Sequence, residues 1–112
     1  MLIQIWSTSG TITSEDTWYY LSVTSGRTYR IWVDDFDAEN TPTTGDVVIR
    51  AYYSGSNGTP IWPSYMDVNW NSPAIFTSAV SDYVFIRVSP HPHESGSGGS
   101  YRIVYGTSLT RP

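Results

Sequence analysis

The sequence predicts an all-β protein, an antiparallel β-sandwich of jelly-roll-like character in a single domain. The β-branched residues Val and Ile outnumber Leu and Ala, and aromatic residues make up 15% of the chain, which is a strand-forming composition. Apolar residues alternate with polar ones in short runs, and no helical spacing of apolar residues persists over the length of a helix. Turns rich in Gly, Ser and Pro separate these runs, as they do in β-sandwiches. We expect the 112 residues to form one domain.

The first part of the chain predicts three strands. Residues 2–6 form the first of them, and the Ser/Thr/Gly segment 7–10 is expected to be a turn. Residues 17–23 and 28–34 alternate regularly and are joined by the short Gly-containing segment 24–26. Two such runs with a tight connection predict a β-hairpin.

The second part of the chain predicts four further strands separated by longer polar segments. These strands are expected at residues 47–54, 74–80, 83–89 and 100–106. An acidic loop precedes them at 34–46, and a second polar loop spans 90–100. Residues 107–112 are typical of a tail that leads to another module, so we expect the chain, 1–112, to be one domain of a larger secreted protein.

Alternation divides the strand residues into an inward and an outward set, because successive side chains of a strand point to opposite faces. The inward set is apolar and is the expected core: Tyr19, Leu21, Val23, Tyr29, Ile31, Val33, Val84, Ile86 and Val88. The outward set should be polar, yet it carries many rings: Trp18, Tyr20, Trp32, Tyr52, Tyr83 and Phe85, interleaved with Arg30, Asp34, Arg50 and Arg87.

Four segments together resemble a known family. They are Trp18-Tyr19-Tyr20-Leu21-Ser22-Val23-Thr24-Ser25-Gly26-Arg27-Thr28-Tyr29, residues 46–54 with Gly58, Tyr83-Val84-Phe85-Ile86-Arg87-Val88, and Gly99-Ser100-Tyr101-Arg102-Ile103-Val104. Across roughly residues 15 to 106, this pattern of strands and turns resembles the bacterial pre-peptidase C-terminal domain. The resemblance implies a non-catalytic β-sandwich attached to a secreted hydrolase. Some relatives in that family bind calcium, and some bind insoluble substrates such as collagen or polysaccharide.

Charge and composition exclude several other classes of protein. The net charge of -4 disfavours nucleic-acid binding, because the phosphate backbone rewards clustered basic residues. No run approaches the roughly 20 apolar residues of a membrane-spanning helix. The absence of Cys excludes disulfides and thiolate metal sites.

The acidic loop predicts a calcium site. Asp35, Asp37, Glu39 and Asp46 have the spacing of the acidic ligands in the helix-flanked calcium-binding loop. Asn40 stands where that loop needs Gly, and no flanking helices are expected, so the site would be an irregular loop site. The alternative is a solvated acidic turn, since Asp and Asn favour turns without any metal.

Catalysis has little support in the sequence, and we expect no enzymatic activity. No Gly-x-Ser-x-Gly motif of a nucleophilic serine is present. The acidic residues cluster in one loop, whereas a glycosidase needs two carboxylates across a cleft. His91, His93 and Glu94 form a short segment that either holds a transition metal or is an exposed polar loop.

The outward aromatic residues lead to the functional hypothesis. Exposed aromatic area of this kind marks an interaction site, and ring faces stack on the apolar C–H faces of sugars. The predicted ligand residues are Trp18, Tyr20, Trp32, Tyr52, Arg30, Arg50 and Trp62. The function expected is that of a carbohydrate-binding module that anchors an attached catalytic domain to cellulose or another plant polysaccharide. The alternatives are a collagen-type protein ligand, a calcium-stabilised structural spacer, and burial of these rings in the fold.

Overall fold

The computed structural model describes residues 2–4, 7–11, 16–36, 42–43, 47–54, 58–90 and 100–109. In residues 2–4, 7–9, 11, 35–36 and 42–43 it describes the backbone alone. The described residues form eleven strands and no α-helix. The expectation of an all-β protein is therefore confirmed.

The strands form two sheets that pack face to face. Sheet I has the order β1 (Leu2–Gln4), β3 (Thr17–Val23), β10 (Asp82–Pro90), β6 (Val47–Tyr53) and β7 (Thr59–Pro60), with β8 (Met66–Asp67) also paired to β6. Sheet II has the order β2 (Ser7–Thr11), β11 (Ser100–Gly106), β4 (Thr28–Phe36) and β5 (Pro42–Thr43), with β9 (Ala74–Thr77) also paired to β4. All described pairs are antiparallel except β1 with β3.

The core lies between the two sheets and is built from the alternating apolar residues. All nine residues predicted to point inward are buried, so this part of the sequence analysis is confirmed. Further buried members come from β6, β9 and β11 and from the segment after β8: Val47, Ile49, Ala51, Val68, Ala74, Phe76, Tyr101 and Ile103. Burial of these side chains is the main stabilising contribution to such a sandwich.

The predicted hairpin of residues 17–23 and 28–34 is wrong. β3 belongs to sheet I and β4 to sheet II, so the chain crosses between the sheets at Thr24–Arg27. The Arg27 N–H donates to the Thr24 carbonyl, 3.1 Å, and Gly26 has φ 87°, as the third residue of a type II turn requires. The Gly26 N–H donates to the Ser78 carbonyl, 2.8 Å. This turn is thus bound to the segment after β9 and joins the two layers.

The Ser/Thr/Gly segment predicted as a turn is the edge strand β2, which corrects a second expectation. Gly10 lies opposite Tyr101 of β11, and a Cβ atom at Gly10 would overlap the Tyr101 ring. The missing side chain therefore makes room for a buried aromatic ring. The Ser, Thr and Gly residues of this segment favour a turn, but its pairing with β11 makes it a strand.

One buried hydrogen bond joins the two sheets inside the core. The Tyr19 and Tyr101 hydroxyl oxygens are 2.5 Å apart, and their rings meet edge to face with centroids 6.4 Å apart. Burial, with the hydrogen bond to Tyr101 as the second cause, raises the pKa of Tyr19. One hydroxyl donates to the other, so this bond ties β3 of sheet I to β11 of sheet II inside the core.

Candidate ligand-binding face

The outer surface of sheet I carries most of the predicted ligand residues. Pairing across β3, β10 and β6 aligns Trp18 with Arg87 and Arg50 in one row. A second row aligns Tyr20 with Phe85 and Tyr52. Tyr83 lies on β10 beside these rows, opposite Ser22. We call this surface the aromatic face, and its members are Trp18, Tyr20, Arg50, Tyr52, Tyr83, Phe85 and Arg87.

The rings of the aromatic face pack against one another. The Trp18 and Tyr52 centroids are 5.7 Å apart with an interplanar angle of 39°. Tyr20 and Tyr83 meet edge to face, 5.5 Å apart at 81°. Tyr83 is 48% exposed, and the other members are half-buried. The surface is therefore a ridged aromatic layer, open to solvent at Tyr83, and its rings do not share one plane.

Two arginines lie among these rings. Arg50 and Arg87 are direct cross-strand partners. The Arg87 guanidinium lies 5.8 Å from the Trp18 ring centroid and the Arg50 guanidinium 5.6 Å from the Tyr52 centroid, within the range of cation–π attraction. Asp16 forms an ion pair with Arg87, with Oδ2 3.6 Å from Nε.

Trp32 and Arg30 do not lie on the aromatic face. Both are in β4 of sheet II, on the opposite side of the sandwich, because the chain crosses between sheets after β3. Trp32 is only 3% exposed and pairs with the buried Val104. Arg30 lies opposite Ile75 of β9. The structure thus brings together Trp18, Tyr20, Tyr52 and Arg50 and separates Trp32 and Arg30 from them.

Trp62 closes one side of the sandwich. It follows β7 of sheet I, and its indole N–H donates to the Ile75 carbonyl of β9 in sheet II, 3.0 Å. Its ring meets Phe76 edge to face, 5.9 Å away, and packs against the core. These contacts hold the Trp62 ring against the edge of the core and not on the aromatic face.

A third arginine–aromatic contact lies on sheet II. The Arg102 guanidinium is 4.3 Å from the centroid of the Trp70 ring and forms an ion pair with Asp34, 3.2 Å. Trp70 is half-buried and covers this outward arginine. Arg102 Nη2 donates a hydrogen bond to Asp34 Oδ2, so one of its outer donors is already used within the protein.

The predicted calcium ligands are largely outside the described residues. Asp37, Glu39 and Asp46 lie outside them, as do His91, His93 and Glu94. Asp35 is described as backbone of β4, paired with Thr43 of β5 and with Tyr101 of β11. Among the described residues, no group of three or more His, Asp or Glu side chains is placed to hold a metal.

Comparison with known proteins identifies the fold. No protein-family model matches the sequence, and no curated protein matches it. The structure is similar to the pre-peptidase C-terminal domain of collagenase from Bacillus anthracis, with TM-score 0.63 and 13% identity over 94% of this chain and 92% of that one. The chain has the fold of a pre-peptidase C-terminal domain. The resemblance seen in the sequence is confirmed at the level of fold.

A second solved structure shares this architecture. It is PliG of Aeromonas hydrophila, a periplasmic inhibitor of g-type lysozyme, with TM-score 0.55 and 10% identity over 94% of this chain and 97% of that one. Over the residues that the structure describes, no helix is long and apolar enough to cross a membrane. At these identities the comparisons establish the fold, and the function has to be argued from the surface.

Proposed function

We propose that this chain is a non-catalytic accessory module of a secreted protein, and that it binds polysaccharide through the aromatic face. The observation that supports it is the position of five rings, from Trp18, Tyr20, Tyr52, Tyr83 and Phe85, on three adjacent strands of one outer surface. An outward strand face is ordinarily polar. Aromatic area placed there marks a contact surface.

The chemistry of the face suits a sugar chain. Ring faces stack on the apolar C–H faces of pyranose rings, and the arginines between them donate hydrogen bonds to sugar oxygens. The ridge from Trp18 to Tyr52 spans β3, β10 and β6, so a chain that crosses the strands would meet aromatic and arginine side chains in turn. An attached hydrolase would thereby be held at cellulose or another plant polysaccharide.

The first test is retention of the purified domain on microcrystalline cellulose, xylan and chitin. We expect Tyr83→Ala and Trp18→Ala to lower retention, and Ile75→Ala to leave it unchanged. Ile75 is the matched control, because it is a large apolar residue 47% exposed on sheet II. Each variant's melting temperature must be measured first, since Trp18 is half-buried. Equal loss in the Ile75 variant would remove the aromatic face as the binding surface.

A protein ligand is the second candidate, and the ring geometry favours it. The Trp18–Tyr52 and Tyr20–Tyr83 angles of 39° and 81° make a ridged surface, and Trp, Tyr and Arg are the residues that dominate protein interfaces. One fold neighbour belongs to a collagenase and the other inhibits a lysozyme. Retention on gelatin, with none on the polysaccharides, would select this candidate.

Calcium binding by Asp35, Asp37, Glu39 and Asp46 is part of the proposal. Clustered carboxylates repel one another unless a cation neutralises them, and calcium prefers oxygen ligands. A cation that binds the folded state alone raises the melting temperature. We expect a higher melting temperature in calcium than in chelator, with Asp37→Asn abolishing the difference. Equal melting temperatures in the two buffers would eliminate the site.

A further inference from the structure

Arg50 and Arg87 make an unusual cross-strand pair at the centre of the aromatic face. They are direct partners on β6 and β10, and direct partners have Cβ atoms only about 5 Å apart. Like charges in this position destabilise a sheet. Asp16 is the carboxylate that pairs with Arg87, and it is itself 40% exposed. The ion pair with Asp16 is therefore made by Arg87, at a partly exposed carboxylate.

One donor of each guanidinium, the Nε–H, makes no hydrogen bond within the described part of the chain. The Nε atoms of Arg50 and Arg87 are buried and make no hydrogen bond there. The 3.6 Å from Arg87 Nε to Asp16 is an ion pair, too long for a good hydrogen bond. Because both Nε atoms are covered, a ligand reaches these side chains only through their other atoms, and the Arg87 side chain is 30% exposed.

The neighbouring rings orient the two arginines. Trp18 and Tyr52 lie beside the guanidiniums of Arg87 and Arg50 at 5.8 and 5.6 Å. A cation–π contact uses the flat face of a guanidinium, whereas its N–H donors lie in the plane and point away from the edge. A contact through the guanidinium face restricts the side chain and uses none of its in-plane Nη donors. The planar fork of these donors matches the two oxygens of a carboxylate.

We propose that Arg50 and Arg87 bind the carboxylate of a uronic acid, so that the ligand of the aromatic face is an anionic polysaccharide. The inference rests on the proposed polysaccharide-binding function and narrows its substrate class. Trp18 and Tyr52 stack on the sugar ring, and the paired guanidiniums take up its charge. The net charge of -4 does not oppose this, because charges beyond about 8 Å are largely screened at physiological salt.

The test compares two polymers that differ only at the carboxyl group, which is charged in one and methyl-esterified in the other. Affinity electrophoresis of the domain is run in gels containing polygalacturonate or its methyl ester, in which every carboxylate is blocked. We expect retardation by the acid form, at least about tenfold weaker binding to the ester, and weaker binding to the acid form in added salt. Arg50→Gln and Arg87→Gln should each weaken binding to polygalacturonate about tenfold, since a charge-assisted bidentate contact is lost.

Two control variants test whether the loss of binding is specific to this face and to the guanidinium group. Arg102→Gln removes an arginine–tryptophan contact on sheet II, and we expect no change in binding. Arg50→Lys keeps the charge and loses the planar fork, so we expect most of the loss seen with Arg50→Gln. Full retention of binding in Arg50→Lys would overturn bidentate recognition.

The remaining outcomes separate this inference from the function on which it rests. Equal binding of acid and ester, or binding of cellulose or xylan with none of polygalacturonate, would overturn the carboxylate site and leave the polysaccharide module standing. No binding to any of these polymers would overturn both. An equal loss in the Arg102 variant would show a non-specific charge effect and would also overturn the site.

Discussion

The hydroxyls of the buried residues Tyr19 and Tyr101 are expected to be energetically coupled. Removing one of them should destabilise the sandwich, whereas removing both should cost little. The two rings are 1% and 3% exposed, and their hydroxyl oxygens lie 2.5 Å apart. Tyr19→Phe keeps the ring and its packing but leaves the Tyr101 hydroxyl buried without this partner. Stranding a buried polar group costs about 1–3 kcal/mol, so each single variant should lose that amount of unfolding free energy.

The double variant Tyr19→Phe/Tyr101→Phe should recover most of this loss. Replacing both partners by apolar groups of the same shape is nearly neutral. The double-mutant cycle should therefore show a coupling free energy close to the sum of the two single losses, about 2–6 kcal/mol in magnitude. The corresponding fall in melting temperature for each single variant is about 4 °C per kcal/mol in a domain of this size.

Urea denaturation is the assay, because a shift of the midpoint at constant slope measures stability alone. Tyr83→Phe, which removes an exposed hydroxyl, is the matched control and should change stability by less than about 0.5 kcal/mol. The reasoning is refuted if the two single variants are as stable as the parent. It is equally refuted if the double variant loses the sum of the two single losses.

Three further expectations concern stability. First, the pKa of Tyr19 is raised by burial, so its contribution is complete below the unfolded pKa of about 10 and is lost as the pH rises above it. The free energy of unfolding, measured by urea denaturation, should fall above about pH 10 by up to about 1.4 kcal/mol per pH unit for this group. It should fall less steeply in Tyr19→Phe, and an equal slope in that variant would contradict the assignment. Second, Gly10→Ala places a methyl group in the Tyr101 ring and should cost about 1–3 kcal/mol in urea denaturation, whereas an unchanged midpoint would mean that the ring moves aside freely. Third, Trp32→Ala should cost about 3–5 kcal/mol because Trp32 is buried, while the molecules that remain folded still bind polysaccharide; loss of binding with stability intact would restore Trp32 to the ligand site.

The sequence by itself determined the local properties of the strands. Alternation within residues 17–23 and 83–89 predicted which side chains face the core, and those predicted inward in these runs are buried. It also placed Trp18, Tyr20 and Phe85 outward. This succeeds because side-chain direction along a strand depends on the backbone of that strand alone.

The tertiary structure decided which strands share a sheet. The turn at Thr24–Arg27 has the residues of a hairpin turn, yet it joins β3 in sheet I to β4 in sheet II and is held by the Ser78 carbonyl. As a result, Trp32 is outward on its own strand but lies on the far side of the sandwich from Trp18. Alternation cannot reveal this, because an inward residue fits the core equally well from either sheet.

The same distinction explains one strand and one pair of neighbouring residues that the sequence did not predict. β2 is a strand because Gly10 accepts the ring of Tyr101, a residue far away in the chain. Arg50 and Arg87 become neighbours because β6 pairs with β10. The sequence thus determined the fold class, the core and the outward residues, because these follow from local alternation and composition. Sheet membership, and with it the composition of the candidate site, was decided only by long-range strand pairing, which depends on how the two faces pack together.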